Sequence, residues 1–203
     1  MIGGTDVRAA PPLDYFRHVL LGLLGHMGAK ARCRVLRRGY YPRGGGEVEV
    51  AVEPAHLTRL ELDEPGRLLA IEGCAHVAHL PLSIAERMRT AAVTGLADFG
   101  HSAHIDTVTL GGADAMGTGG AVACWATTQH TVLGAGRVAE RGVRAETLGE
   151  TAGAELASEL AARGTLDVHA ADQILVYLAL AGGHFTTRVV SSQGAKHSRM
   201  IDE

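Results

Sequence analysis

Residues 37–50 read RRGYYPRGGGEVEV, and this run constrains the local fold more than any other stretch of the chain. Val48, Val50 and Val52 alternate with Glu47, Glu49 and Glu53, the period-2 pattern of a half-buried strand. Upstream, Ala31, Cys33 and Val35 alternate with Arg32 and Arg34, so a strand also enters the glycine triplet Gly44, Gly45 and Gly46. Glycines in such a place let backbone approach another group closely or adopt positive φ. With Arg37, Arg38 and Arg43 beside them, the loop suits an anion such as a phosphate chain. A β-hairpin with a flexible tip satisfies the same pattern without any ligand.

Elsewhere the pattern alternates helix and strand. Pro11 and Pro12 precede a helical stripe of Phe16, Val19, Leu20, Leu23, Leu24 and Met27, with Gly28 as its stop. Ser83 and Glu86 have the spacing of a capping box for a helix reaching about Asp98. Strands are expected over residues 67–79, 105–110 and 121–128, the last two separated by the loop GGADAMGTGG. Helix, strand, glycine loop, strand thus occurs twice, as in an internal repeat of α/β units. Residues 145–163 are rich in good helix formers. Residues 169–183 read as a second helix, buried because it is apolar nearly all round. A closing strand is expected over 185–192, and residues 193–203 lack any apolar period and read as a loose tail.

The 203 residues suffice for a sizeable core. A net charge of −3 excludes a general polyanion binder, so any nucleic-acid contact needs a local basic patch. Cys33, Cys74 and Cys124 lie far apart with no CxxC pair, the usage of a reducing cytoplasm. The apolar run from Ile174 to Gly183 is about half the ~20 residues a membrane span needs, so no membrane partner is expected. His76 and His79, and likewise His101 and His104, sit three apart. Without cysteine or carboxylate at ligand spacing they read as turn or surface residues, and no metal site is assigned to them. Cys124 and Trp125 read as strand core, and Glu146, Glu150 and Glu155 as the solvated face of a helix. His169, Asp172 and Gln173 cluster at a helix start, where backbone N–H groups favour a phosphate or ribose, or where Asp167 simply caps the helix.

Arg38, Gly39, Pro42 and Gly44 to Gly46 match, position by position, the signature of the RNA 3'-terminal phosphate cyclase family, which this chain resembles. The segments PPLDYFRHVLLGLLGHMGA, LPLSIAERM, ATTQHTVLGA and HAADQILVYLALAGG also resemble family segments, in the expected order. The resemblance implies an α/β fold of the α+β type: repeated units of two helices and a four-stranded sheet, with a smaller α/β domain inserted. On that plan residues 1–72 and 140–203 form an incomplete repeat-unit domain, and 73–139 the insert. The abrupt start at MIGGTDV is that of a chain lacking the family's N-terminal part, which holds its early metal- and nucleotide-binding residues. The implied reaction turns an RNA 3'-phosphate into a 2',3'-cyclic phosphate, using ATP, a divalent metal (Mg or Mn) and an adenylated histidine. The implied nucleotide-binding segment is His169, Ala170, Ala171, Asp172 and Gln173, and the implied phosphate or RNA loop is Arg38, Pro42, Arg43, Gly44, Gly45 and Gly46. The nucleophile's position falls on Gln193, whose amide cannot form a phosphoramidate. His197, four residues on, is the alternative. A complete site would then need a second polypeptide or a homo-oligomer. A noncatalytic RNA-binding or ribosome-assembly protein on the same fold is the other reading.

Overall fold

The computed structural model describes residues 1–99, 102–191 and 194–200. The chain starts with β1 (Ile2–Gly3), then a continuous helical stretch of α1 (Leu13–Tyr15), a π segment (Phe16–Leu20) and α2 (Leu21–His26). Next come β2 (Lys30–Gly39), β3 (Gly46–Glu53), β4 (Leu60–Glu61), β5 (Leu68–Ala78) and α3 (Leu82–Gly95). β6 (Ala103–Leu110), β7 (Ala115–Met116), β8 (Gly119–Thr128) and β9 (Val132–Val138) follow. α4 (Ala145–Ala162), α5 (Val168–Ala181), β10 (Gly183–Ser191) and β11 (Gly194–Met200) complete the mixed α/β architecture.

The central sheet has the order β6-β5-β8-β9. β5 and β6 run parallel and are joined across α3, whereas β8 is antiparallel to both β5 and β9. Both faces are covered. Val122, Cys124 and Ala126 of β8 enter a core with Ile71, Met88, Leu96, Leu133 and Leu156, under α3 and α4. Ala123 and Trp125 point the other way, to Tyr15, Val19, Leu23, Ile174 and Phe185. Burial on both faces is why β8 is apolar almost throughout instead of alternating. The helical stripe read from the sequence is the buried one: Val19, Leu20, Leu23, Leu24 and Met27 all lie in the core. α4, from the expected outer segment 140–203, shares its core with β5 and β8.

β2 and β3 form the expected antiparallel hairpin, with Cys33 opposite Val50 and Val35 opposite Val48. β1 flanks β3 and β7 flanks β2, giving the order β1-β3-β2-β7. The second helix–strand–loop–strand unit shares the element order but not the pairing: β6 and β8 do not meet, because β5 lies between them. Three expectations are corrected. Ser83 lies inside α3, which begins after Pro81 without a side-chain cap, so the proline sets the start and the capping box is not formed. α5 is not buried all round, since Leu175, Val176 and Leu180 are exposed on its outer side. Residues 194–200 of the expected loose tail form β11, antiparallel to β10, through backbone pairing that needs no apolar period. Among the described residues no helix is long and apolar enough to cross a membrane.

α3 and α4 pack with almost no side chain between them at Gly149, where an added Cβ would run into the Met88 carbonyl oxygen. That obstacle is backbone and cannot swing aside. Gly149→Ala is expected to destabilise the fold by about 1–3 kcal/mol, read as a lower urea midpoint. An unchanged midpoint would show that the helices separate freely.

Candidate functional site

Four parts of the chain converge on the Arg38 guanidinium near the end of β2. Its Nη2 donates to both carboxylate oxygens of Asp14 in α1, at 2.8 and 2.7 Å. Its Nη1 donates to Asp6 Oδ2 at 3.1 Å. Asp6 also accepts from the Thr5 hydroxyl at 2.7 Å and from the Leu13 N–H at 3.3 Å. His76 of β5 is 1% exposed and its Nδ1 shares a 2.8 Å hydrogen bond with the Tyr40 hydroxyl. Its Nε2 makes no hydrogen bond, with Asp14 Oδ2 at 3.4 Å and Asp6 Oδ1 at 3.7 Å. Burial alone would raise the Asp14 pKa, but the His76 ring and Arg38 outweigh it and hold the carboxyl well below the usual range. Burial opposes the charge on Arg38 too, and Asp14 and Asp6 more than restore it.

The expectation that Arg38 contacts a phosphate is corrected here: it is 8% exposed and committed inward to two carboxylates. The rest of the motif builds the hairpin tip. Gly44 (φ 60°) and Gly45 (φ 68°) adopt the left-handed backbone that reverses the chain. The Gly44 N–H donates to the Tyr40 carbonyl at 2.8 Å, and Arg37 Nε to the Gly45 carbonyl at 2.9 Å. At Gly39 a Cβ would collide with the Gly46 nitrogen, so the root of the hairpin closes only with glycine there. Pro42 and Arg43 are exposed at the tip. The second glycine loop reaches this same tip. β7 runs parallel to Arg38–Gly39, and the Tyr40 N–H donates to the Met116 carbonyl at 3.3 Å. Gly45 faces the Met116 side chain, and Gly117 faces that of Arg43.

The other candidate residues lie at the start of α5. Asp167 caps this helix: its Oδ1 accepts the N–H groups of His169 and Ala170 at 3.0 Å each, and the Tyr15 hydroxyl at 2.7 Å. Its Oδ2 accepts the Gly134 N–H at 2.8 Å. The capping interpretation is thus the one observed, and those two N–H groups are not open to a phosphate. Ala170 and Ala171 are buried in the core and serve packing. His169, Asp172 and Gln173, at i, i+3 and i+4, share one helix face. Asp172 is exposed, and the Gln173 carboxamide oxygen is buried without a hydrogen bond.

Glu155, expected on a solvated face, instead links this face to β9. Its Oε1 lies 3.4 Å from His169 Nε2 and its Oε2 2.6 Å from Arg137 Nη1. The Glu155 contact raises the His169 pKa against the effect of burial. Burial would raise Glu155 itself, but His169 and Arg137 bring it below the ordinary value. Asp6, Asp14, Arg137 and Tyr15 were not legible as site residues in the sequence. Only Asp14, an acid in a first helical turn, carried a local signal.

Gln193 lies outside the described residues, as does His101. His197 is on β11, at the register position opposite Arg188. Of the remaining histidines, His79 contacts the Ala115 carbonyl and His104 contacts Asp106. Among the described residues no group of three His, Cys, Asp or Glu side chains is placed to hold a metal ion.

A model of the family described as RNA 3'-terminal phosphate cyclase matches residues 1–203. The chain is 52% identical over 204 residues to the RNA 3'-terminal phosphate cyclase of Nitrosospira multiformis, covering 99% of this chain and 58% of that protein. It is 39% identical over 197 residues to the Pyrobaculum aerophilum protein of that name, covering 96% and 56% of the two chains. With the one from Archaeoglobus fulgidus the identity is 36% over 202 residues, covering 98% and 59%. The chain thus spans 56–59% of the length of these curated relatives.

Arg38→Met leaves Asp6 and Asp14 buried without their counter-charge and is expected to cost about 3–5 kcal/mol in urea unfolding. A loss under about 1 kcal/mol would mean that water reaches the carboxylates. For His169, the Glu155 contact favours the charged ring. Its contribution to stability is therefore full below the ordinary histidine range and fades as pH rises through the elevated midpoint. In an NMR titration, Glu155→Gln should move the His169 midpoint down; an unmoved midpoint would deny the contact.

Proposed function

Because the chain belongs to the RNA 3'-terminal phosphate cyclase family, we propose that it acts at RNA 3'-phosphate ends, closing them to 2',3'-cyclic phosphates with ATP. The observation that carries this reading is the family match over residues 1–203. His169, Asp172 and Gln173 are aligned on one face of α5, and of these Asp172 is the exposed one. On this reading that face would meet the nucleotide. It does not offer the first N–H groups of α5 to a phosphate, because Asp167 holds them. ATP supplies an activated α-phosphorus with pyrophosphate as leaving group. The divalent ion implied by the family has no set of protein ligands among the described residues.

His197 is the proposed nucleophile. Its neutral ring nitrogen would attack the α-phosphorus, forming an N–P bond as pyrophosphate leaves. The RNA 3'-phosphate would then take AMP from the histidine. The neighbouring 2'-hydroxyl would attack that phosphate, lose its proton and displace AMP. The working site is proposed to include residues beyond the 58% of its Nitrosospira relative that this chain matches. A cytoplasmic setting agrees with three free cysteines.

Gln193, at the position where the family resemblance expects the histidine, favours a second reading: a noncatalytic RNA-binding or ribosome-assembly protein. ATP labelled at the α-phosphate separates the two. Covalent, acid-labile AMP that disappears in His197→Ala is the expected result. RNA binding without any label would replace the cyclase reading by the noncatalytic one.

A further inference from the structure

The hairpin tip holds several features that neither the Arg38 network nor the α5 face uses. Tyr41 is 72% exposed, an unusual position for a large aromatic ring in a chain that buries Tyr15 and Tyr40. Arg43 is exposed beside it, and Arg37 is anchored through Nε to the Gly45 carbonyl, with no further hydrogen bond or ion pair among the described residues. Glu47 is opposite Arg37 in the strand register, yet no ion pair joins them. The only acid on the facing glycine loop is Asp114. Gly44 and Gly112 meet no side chain, while Gly45 lies against Met116 and Gly117 against Arg43. The arrangement is one exposed aromatic plane and two guanidinium groups at the meeting of two glycine-rich loops.

We propose that this tip is the contact for single-stranded RNA, with Tyr41 stacking on a base and Arg37 and Arg43 holding adjacent phosphates. The inference rests on the RNA-end reading above, and it assigns the substrate contact to residues outside the α5 face. Base–aromatic stacking tolerates any base, and guanidinium groups engage a phosphodiester without reading sequence. Both traits suit a protein that must accept an RNA end whatever its sequence. The local cluster also explains how a chain of net charge −3 can attract a polyanion. Arg38 takes no part, being neutralised inside.

The test is fluorescence anisotropy with a labelled single-stranded RNA dodecamer ending in a 3'-phosphate. Tyr41→Ala is expected to weaken binding about tenfold, whereas Tyr41→Phe, which keeps the stacking plane, stays within about twofold. Replacing Arg37 and Arg43 by Gln should reduce the slope of log affinity against log salt by about 0.7 for each phosphate no longer held. Because Tyr41 is exposed, melting temperatures of its variants should match the wild type, so weaker binding would not reflect unfolding. Tyr41→Ala binding as tightly as wild type would overturn the proposal, and so would a wild-type chain that fails to bind the RNA. The ATP label is independent of this result. Tyr41-dependent binding without label removes the cyclase reaction and keeps the RNA contact; label with Tyr41-indifferent binding does the reverse.

Discussion

The Arg38 guanidinium, held between Asp6 and Asp14 away from water, is the interaction on which the arrangement of the chain depends. A desolvated charge is tolerable only when its partners are close and well aligned, and here each end of the fork has its own carboxylate. The partners come from different parts of the chain: Asp6 from the segment after β1 and Asp14 from the start of the helix. His76 brings in β5 through Tyr40. A shift of any one element would leave a buried charge without its compensating group. The network therefore specifies position more than it adds net stability, since apolar packing of similar volume could stabilise as well.

That constraint explains why the glycine motif has the form it does. Arg38 draws the end of β2 inward, and the next residue, Gly39, must then let the returning strand pass at Gly46. The turn residues Gly44 and Gly45 follow from the reversal, and Met116 from the second loop closes the side. The motif is thus first a device for setting a hairpin against a buried ion network. Its exposed members, Tyr41 and Arg43, are the ones free to meet something else.

What could be read from the sequence was what local chemistry records. The alternation of β2 and β3 announced the hairpin, the stripe from Phe16 to Met27 announced a buried helix face, and the Asp167 cap was foreseeable from its place before a helical run. The features that escaped depend on distant partners. Arg38 looks like a phosphate ligand beside three glycines until Asp6 and Asp14 are seen folded onto it. Glu155 looks like any helical surface acid until β9 brings Arg137 to it and α5 brings His169. The outer side of α5 is apolar in sequence and exposed in this chain, which no periodicity argument can distinguish from burial. β11 has no apolar signature because strand pairing there is a matter of backbone.

The two polar sites are joined through adjacent residues of one helix. Asp14 faces the Arg38 network, and Tyr15 gives its hydroxyl hydrogen to Asp167, the cap of α5. Burial, together with the nearby acids, raises the Tyr15 pKa, so the phenol stays a neutral donor to Asp167. Successive helical residues point about 100° apart, which aims one at the hairpin and the next at α5. The π segment from Phe16 to Leu20 begins directly after them, in a region where the helix must keep Val19 and Leu20 in the core. A widened turn adjusts the register between a polar start and an apolar continuation. The position of α1 thus sets both the hairpin root and the α5 cap.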